Sequence, residues 1–262
     1  MRVVFMGSKE DGYGCLQHLL QQGHEVAAVV TVPELPPEKR WFRSLVPLAE
    51  AQQIPIFIPP SAKDPEFIKK IVALRPDVVF SVNFDKIIPP EILRAAKWSI
   101  NFHGGRLPEY SGCLSGAWAI LNGERETAVT AHLMEAEADT GDVIGVQRVP
   151  IAPEDTGRSL YEKTMQAAQK LFKELLPHLT AGTLQRKPQN LAGRRYYSRK
   201  LPWNGRIDWQ KSAEEIHNFV RALHFPPYPP AQTSYQGKER EVWKSIPFSS
   251  SSASVPREQS WR

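Results

Sequence analysis

Short apolar runs alternate with amphipathic segments along the first hundred residues of the chain. The apolar runs predict β-strands at residues 3–6, 26–30, 56–58, 78–82 and 98–102. The segments between them predict helices at residues 13–22, 44–53, 65–74 and 89–96. Because strands that alternate with helices build βαβ units, the pattern favours an α/β fold with a doubly wound, mostly parallel, Rossmann-like sheet.

The second half of the chain continues this pattern and then changes character. It predicts a strand at residues 143–149, a long helix at 157–176 capped by Thr156, and a later helix that begins with a capping box of Ser212 and Glu215. Residues 194–209 are rich in aromatic, arginine and turn residues, which is typical of a boundary. We therefore expect an N-terminal catalytic domain at 1–190, a small C-terminal α/β element at 191–247, and a disordered Ser-rich tail at 248–262.

Composition and charge narrow the class of protein. The hydrophobic content of 41% is globular, and no apolar run approaches the ~20 residues of a membrane helix. The chain opens directly on a predicted strand without a signal peptide, so we expect a cytoplasmic protein. Cys15 and Cys113 offer neither a disulfide framework nor a zinc set, and we expect no metal. A net charge of +5 suits a phosphate-bearing substrate, but no aromatic and basic repeat marks a nucleic-acid module.

The loop after the first predicted strand contains three glycines between Gly7 and Gly14. Their spacing differs from the G-x-G-x-x-G fingerprint, and no acidic residue clearly ends the second strand where a ribose would bind. We therefore do not expect NAD binding. Close packing of the strand against the following helix explains these glycines better.

Candidate catalytic groups lie at the end of the predicted strand 98–102 and in a later polar turn. Asn101 and His103 are two residues apart, so their side chains emerge on one face of a strand. An amide can donate to a developing oxyanion, an imidazole can accept a proton from an amine, and the carboxylate of Asp139 can orient that imidazole. Each residue could also have a structural role, but a glycine-rich loop follows the strand, where open α/β sheets place ligands. These groups are suited to acyl transfer onto an amine.

Four segments together resemble a known family: Asn101-Phe-His103, Leu107-Pro-Glu-Tyr110, Asn122-Gly-Glu124 and Asp139-Thr-Gly-Asp142. They are similar to the formyltransferases that use 10-formyltetrahydrofolate, a group that acts on methionyl-tRNA, glycinamide ribonucleotide or amino sugars. The resemblance covers residues 1 to 245 and implies Asn101, His103 and Asp139 as the catalytic residues. The chain departs from many relatives in having Gly104-Gly105-Arg106 and in lacking an arginine before Gly112.

The resemblance also implies binding residues. For the formyl donor, 10-formyltetrahydrofolate, these candidates follow the strand 78–82 or flank Asp139: Phe84, Asp85, Ile87, Ile88, Ala138 and Asp142. For the acceptor, the candidates lie in the loop after His103 and near the C-terminal element: Arg106, Tyr110, Trp203, Asn204 and Arg206.

Residues 203–243 resemble the C-terminal part of sugar N-formyltransferases. We therefore expect transfer of the formyl group to the amine of an amino-sugar nucleotide, a small-molecule partner, without nucleic acid or membrane, and leave a homodimer open. The open alternatives are a methionyl-tRNA formyltransferase, a formylation domain of a peptide-synthesis assembly line, and a catalytically silent folate or sugar-nucleotide binder. Too few residues follow the catalytic part for the full β-barrel domain that methionyl-tRNA formyltransferases usually carry.

Overall fold

The computed structural model describes residues 1–246, and the Ser-rich tail expected at 248–262 lies outside these described residues. Its strands are β1 (Arg2–Gly7), β2 (Glu25–Val30), β3 (Ile56–Phe57), β4 (Val78–Val82), β5 (Trp98–His103), β6 (Ser111–Gly112), β7 (Glu126–Leu133), β8 (Val143–Pro150), β9 (Tyr196–Tyr197), β10 (Ala231–Tyr235) and β11 (Lys238–Val242). Its α-helices are α1 (Lys9–Gln21), α2 (Leu45–Ala51), α3 (Pro65–Ala73), α4 (Pro90–Arg94), α5 (Ser115–Leu121), α6 (Gly157–Thr180) and α7 (Ala213–Leu223).

A seven-stranded sheet in the order β3-β2-β1-β4-β5-β7-β8 forms the centre of the molecule. The first five strands in this order are parallel, whereas β7 runs antiparallel to β5 and β8 antiparallel to β7. The mostly parallel, Rossmann-like sheet expected from the sequence is confirmed. The sequence pattern did not predict β7, because buried Thr127, Thr130 and His132 interrupt its apolar residues.

Helices cover both faces of the sheet, and the apolar side chains of β1 point alternately to one face and to the other. Val3 and Phe5 belong to a core cluster that also contains residues of α1 and α6, such as Leu16 and Phe172. Val4 and Met6 point to the opposite face and belong to a second cluster with residues of α3 and α4. The sheet is therefore doubly wound, which places its ligand-binding edge at the carboxyl ends of the parallel strands.

The turn from β1 into α1 is tighter than the sequence pattern indicated. Helix α1 begins at Lys9 rather than Tyr13, and it includes Gly12 and Gly14. A Cβ at Gly7 would lie 2.7 Å from the Phe5 ring and 3.0 Å from the Val82 carbonyl oxygen. This close approach supports the interpretation that the glycines permit packing rather than cofactor binding.

Other helix ends follow from local chemistry. Helix α6 begins with a capping box of Thr156 and Ser159, and the cap by Thr156 was predicted from the sequence. Helix α7 begins with the predicted capping box of Ser212 and Glu215. Helix α4 begins at Pro90 rather than Pro89, since a residue that precedes a proline is disfavoured in helical geometry. In the described part of the chain, no helix is long and apolar enough to cross a membrane.

Candidate active site

The end of β5 brings two candidate catalytic side chains to the ligand-binding edge of the sheet. Asn101 and His103 lie on the same face of this strand, which pairs in parallel with β4 on one side and antiparallel with β7 on the other. The register of the second pairing places His132 of β7 directly opposite Asn101. Its side-chain Nε2 lies 3.1 Å from the Asn101 Nδ2.

Asp139 reaches these side chains from the loop between β7 and β8. Its backbone is left-handed, with φ of 62°. One carboxylate oxygen, Oδ2, accepts a hydrogen bond of 2.7 Å from the Gly112 N–H. The other, Oδ1, lies 3.6 Å from His103 Nδ1 and 3.5 Å from His132 Nε2. The structure therefore brings Asn101, His103 and Asp139 together, with His132 between the amide and the carboxylate.

The hydrogen bonds of His103 define which of its ring nitrogens can accept a proton. Nε2 lies 2.7 Å from the Tyr110 carbonyl oxygen, which can only accept, so Nε2 carries the hydrogen. In the neutral ring, Nδ1 then carries the free lone pair, and it lies 3.6 Å from Oδ1 of Asp139. A proton taken up at Nδ1 would therefore produce an imidazolium with an acceptor beside each nitrogen.

The same reasoning gives the hydrogen positions of His132, a residue that the sequence analysis missed. Its Nδ1 donates to the Leu133 carbonyl oxygen at 2.7 Å, so Nε2 of the neutral ring is an acceptor. Asn101 therefore donates from Nδ2 to this ring, which leaves the second Nδ2 hydrogen available to a ligand. No pattern in the sequence signals this contact, because it depends on the β5–β7 register and the sequence did not predict β7.

Burial and charge tune the two ionisable partners in opposite ways. Burial lowers the pKa of His103 below its ordinary value of 6.5, although Asp139 and the Tyr110 carbonyl raise it. Burial raises the pKa of Asp139, but His103, His132 and the Gly112 N–H outweigh burial and lower this pKa to about 2. At neutral pH the site therefore contains a neutral imidazole beside an ionised carboxylate, which is the state a general base requires.

The candidate donor-binding residues lie on two loops at the same edge of the sheet. Phe84 and Ile88, after β4, belong to one apolar cluster with Met134, which follows β7. Ile87 is 60% exposed. The remaining candidates carry polar contacts: Asp85 pairs with Arg199 at 3.8 Å, Asp142 pairs with Arg186 at 3.7 Å, and the Ala138 carbonyl accepts from Arg194 at 3.1 Å.

The candidate acceptor-binding residues are not all brought to the catalytic groups. Tyr110 is 2% exposed, its ring stacks on Tyr197, and its hydroxyl donates to Glu124. Tyr110 was a candidate for acceptor binding, but this packing buries its side chain, and its main-chain carbonyl instead contacts His103. Arg106 remains half-buried in the same loop, with Glu109 at 3.8 Å and Glu124 at 3.6 Å.

The other three acceptor candidates lie on the C-terminal element. Arg206 pairs with Glu239 of β11 at 2.6 Å, and Trp203 packs edge-on against Phe219 of α7. Asn204 adjoins them in a left-handed turn with φ of 51°. Within residues 1–246, the side-chain contacts of Trp203 and Arg206 are to the C-terminal element and not to the catalytic loops.

Within residues 1–246 no group of three or more His, Cys, Asp or Glu side chains could hold a metal ion.

Comparison with known families places the chain in an enzymatic context. A family model described as formyl transferase matches residues 1–176, which include every residue of the catalytic cluster. A second model, described as the C-terminal domain of formyl transferase, matches residues 202–257. The two matches leave residues 177–201 between them.

Solved structures with the same fold include several N-formyltransferases. WlaRD, a sugar 3N-formyl transferase crystallised in the presence of dTDP and 5-N-formyl-THF, is 26% identical, covers 94% of this chain and 86% of its own, and gives a TM-score of 0.77. The N-formyltransferase from Helicobacter canadensis, in complex with folinic acid and dTDP-3-aminofucose, is 27% identical over 92% of this chain and 86% of its own, with a TM-score of 0.76. A methionyl-tRNA formyltransferase from Clostridium thermocellum is 19% identical over 92% and 91% of the two chains, with a TM-score of 0.65, and shares the fold.

Proposed function

This chain belongs to the formyl transferase family, and from that membership we propose that it transfers the formyl group of 10-formyltetrahydrofolate to the amine of an amino-sugar nucleotide. The observation that carries the proposal is the convergence of Asn101, His103 and Asp139 at one edge of the sheet. An amide donor, a neutral imidazole and an ionised carboxylate are the groups that this reaction needs.

The loops at this edge suit a formylated folate, which is consumed as a co-substrate. In the loop after β4, Ile87 is exposed and Phe84 is half-buried, so both can offer apolar surface to a planar ring. Because the carbonyls of Ala138, Asp139 and Gly141 already accept from protein side chains, polar contacts of that ring with the loop around Asp139 would use its main-chain N–H groups. We assign Phe84, Asp85, Ile87, Ile88, Ala138 and Asp142 to this part of the site.

Proton transfer in the proposed reaction passes through Nδ1 of His103. The amine nitrogen of the acceptor bonds to the formyl carbon, and its proton moves to Nδ1, while Nε2 stays bound to the Tyr110 carbonyl. The bond from the formyl carbon to N10 of the folate then breaks, and the proton on Nδ1 moves to N10. Asp139 stabilises the intervening imidazolium, because an opposite charge nearby favours the charged form.

Asn101 stabilises the oxygen of the formyl group as negative charge develops on it. One of its Nδ2 hydrogens is held by His132, so the amide cannot rotate freely. The other hydrogen donates to the oxyanion, a contact worth on the order of 3 kcal/mol in comparable sites. In this proposal His132 is a positioning residue for Asn101.

The proposed acceptor, an amino-sugar nucleotide, is supported by two relatives with 26% and 27% identity that are N-formyltransferases described with dTDP or dTDP-3-aminofucose. Arg106 lies in the loop that follows His103 and can supply positive charge once a ligand competes with Glu109 and Glu124. Trp203, Asn204 and Arg206 are more remote candidates on the C-terminal element.

The proposal is tested by incubating the protein with 10-formyltetrahydrofolate and a panel of UDP- and dTDP-linked amino sugars. Mass spectrometry should show the gain of one CO unit by at least one member of the panel. Initiator methionyl-tRNA is included as a second acceptor. An unreactive sugar panel together with formylated tRNA would overturn the proposed acceptor, and binding of the folate without any transfer would overturn the proposed reaction.

A further inference from the structure

Residues 187–197, which we call the connecting segment, touch both loops that carry the candidate catalytic groups. At one end, Lys187 and Val143 exchange two main-chain hydrogen bonds of 2.8 Å. At the other end, the Ser111 N–H donates to the Arg195 carbonyl at 3.1 Å. The connecting segment therefore joins the loop of Asp139 to the loop that follows His103, and it lies outside both matched regions, 1–176 and 202–257.

Gln189 makes the most direct contact between this segment and the Asp139 loop. Its side-chain Nε2 donates to the Asp139 carbonyl at 3.1 Å and to the Gly141 carbonyl at 2.7 Å. Its Oε1 is buried and has no hydrogen-bond partner within residues 1–246. Gln189 therefore contacts the Asp139 loop through its NH2 group, which binds main-chain carbonyls on both sides of Thr140.

The Asp139 loop needs such support because its backbone is constrained. Asp139 is left-handed, with φ of 62°, a conformation in which its Cβ is crowded. A Cβ at Gly141 would lie 2.1 Å from the Leu133 carbonyl oxygen, so the loop also passes very close to β7. Surrounding contacts are required to hold residues in sparsely populated backbone conformations.

Arg194 supports the same loop from the other end of the connecting segment. Its guanidinium donates to the Ala138 carbonyl at 3.1 Å and pairs with Glu137. The carbonyls of Ala138, Asp139 and Gly141 are thus all bound by side chains of the connecting segment. Gln189 is the member of this set that binds Asp139 itself.

We propose that Gln189 is a positioning residue that holds the carboxylate of Asp139 beside Nδ1 of His103. The catalytic meaning of this role rests on the proposed formyl transfer, but the positioning itself can be measured without any substrate. Groups that face His103 are Asp139, His132, the Tyr110 carbonyl and the Ser115 hydroxyl. Of these, Asp139 is the one whose loop Gln189 binds.

The test compares Gln189→Met with Gln185→Met. Methionine keeps the length of the side chain but removes the donor, and Gln185 is an exposed glutamine whose Nε2 donates weakly to the Thr183 carbonyl, at 3.5 Å. The readout is an NMR titration of the His103 ring, assigned with a His103→Ala spectrum. Because a carboxylate that moves away stabilises the imidazolium less, Gln189→Met should lower the pKa of His103 further, whereas Gln185→Met should leave it unchanged.

Kinetics provide a second readout of the same change. Gln189→Met should reduce kcat roughly ten- to hundredfold, because small displacements of catalytic groups have effects of this size, with little change in KM for the acceptor. A folded Gln189→Met protein with an unchanged His103 pKa would overturn the positioning role. If Gln189→Met does not fold, Gln189→Asn takes its place, since its amide is one methylene short of both carbonyls, and an unchanged pKa there overturns the role equally. A protein that formylates no acceptor fails the proposed function, while the titration still decides the role of Gln189.

Discussion

At the scale of single residues, the site depends on the protonation of His103. The Tyr110 carbonyl fixes the hydrogen on Nε2, so the free Nδ1 is the proton acceptor. Burial keeps this ring neutral at neutral pH, and the ionised Asp139 is ready to stabilise its charged form. In the proposed reaction the same residue is therefore a base before the transfer and an acid after it.

The lowered pKa of His103 predicts the pH dependence of the reaction. The base must be neutral, so kcat/KM should fall as the pH decreases through the pKa of His103, and the acceptor amine, which must also be neutral, adds its own ionisation. Because burial lowers the pKa of His103, the midpoint of the enzyme's ionisation should lie below the ordinary histidine value of 6.5. A pH–rate profile corrected for the separately titrated acceptor amine measures this midpoint, and a corrected midpoint clearly above 6.5 would contradict the assignment.

The proposed role of His132 predicts different effects for two substitutions of similar polarity. His132→Gln can place an acceptor near the position of Nε2 and should retain much of the activity. His132→Asn reaches only the position of Nδ1, so it frees the Asn101 amide and should lower kcat roughly tenfold or more. Equal kcat values for two variants with equal thermal stability would show that His132 does not orient Asn101.

The sequence revealed some of these residues and concealed others for physical reasons. Asn101 and His103 could be predicted because strand periodicity places residues two apart on one face. His132 could not, since its contact depends on the antiparallel register of β5 and β7. The role of Tyr110 resides in its main-chain carbonyl, which no side-chain pattern reports.

At the scale of elements, helix starts were easier to predict than the antiparallel strand. Hydroxyl caps satisfy free N–H groups within one turn, so Thr156 and Ser212 mark their helices in the sequence itself. Strand β7 carries buried polar residues on an otherwise apolar run, and its neighbours along the sheet determine its structure. The position of β7 nevertheless determines the geometry of the candidate active site, because β7 carries His132 and leads into the Asp139 loop.

The cap of α6 gives a prediction that separates stability from activity. Thr156 accepts a hydrogen bond from the Ser159 N–H at 3.1 Å, and Thr156→Ala removes this acceptor. We expect a loss of about 1 kcal/mol in the free energy of unfolding, with kcat unchanged because the cap does not contact the catalytic cluster. Urea unfolding measures the loss, and Ser234→Ala, at an exposed serine of β10, is the matched control. An unchanged unfolding free energy would show that the cap contributes nothing.

At the scale of the whole molecule, much of the positive charge is already neutralised by ion pairs. Arginines that the sequence places in one basic region pair with acidic residues: Arg186 with Asp142, Arg194 with Glu137, Arg199 with Asp85 and Arg206 with Glu239. The sequence reports the excess of +5 but not these pairings, because the partners are distant along the chain. These four arginines are therefore occupied by acidic partners, which agrees with the proposed small acceptor.

This charge distribution predicts a weak dependence on salt. Proteins that make several phosphate contacts with a nucleic acid lose roughly 10³- to 10⁵-fold in affinity between 50 and 200 mM salt. For an amino-sugar nucleotide we expect kcat/KM to change by less than about tenfold over the same range, because few charges are exchanged. A steep decline with salt would indicate a polyanionic acceptor instead.

In the proposed reaction, His103 accepts and returns the proton during transfer of the formyl group. The most direct test is the rate at which His103→Ala adds one CO unit to the acceptor, measured beside the affinity of the same variant for 10-formyltetrahydrofolate. We expect turnover to fall by roughly 10²- to 10⁴-fold, the contribution of a general base, while the folate affinity stays close to that of the unaltered protein. Turnover near the unaltered rate would contradict the account.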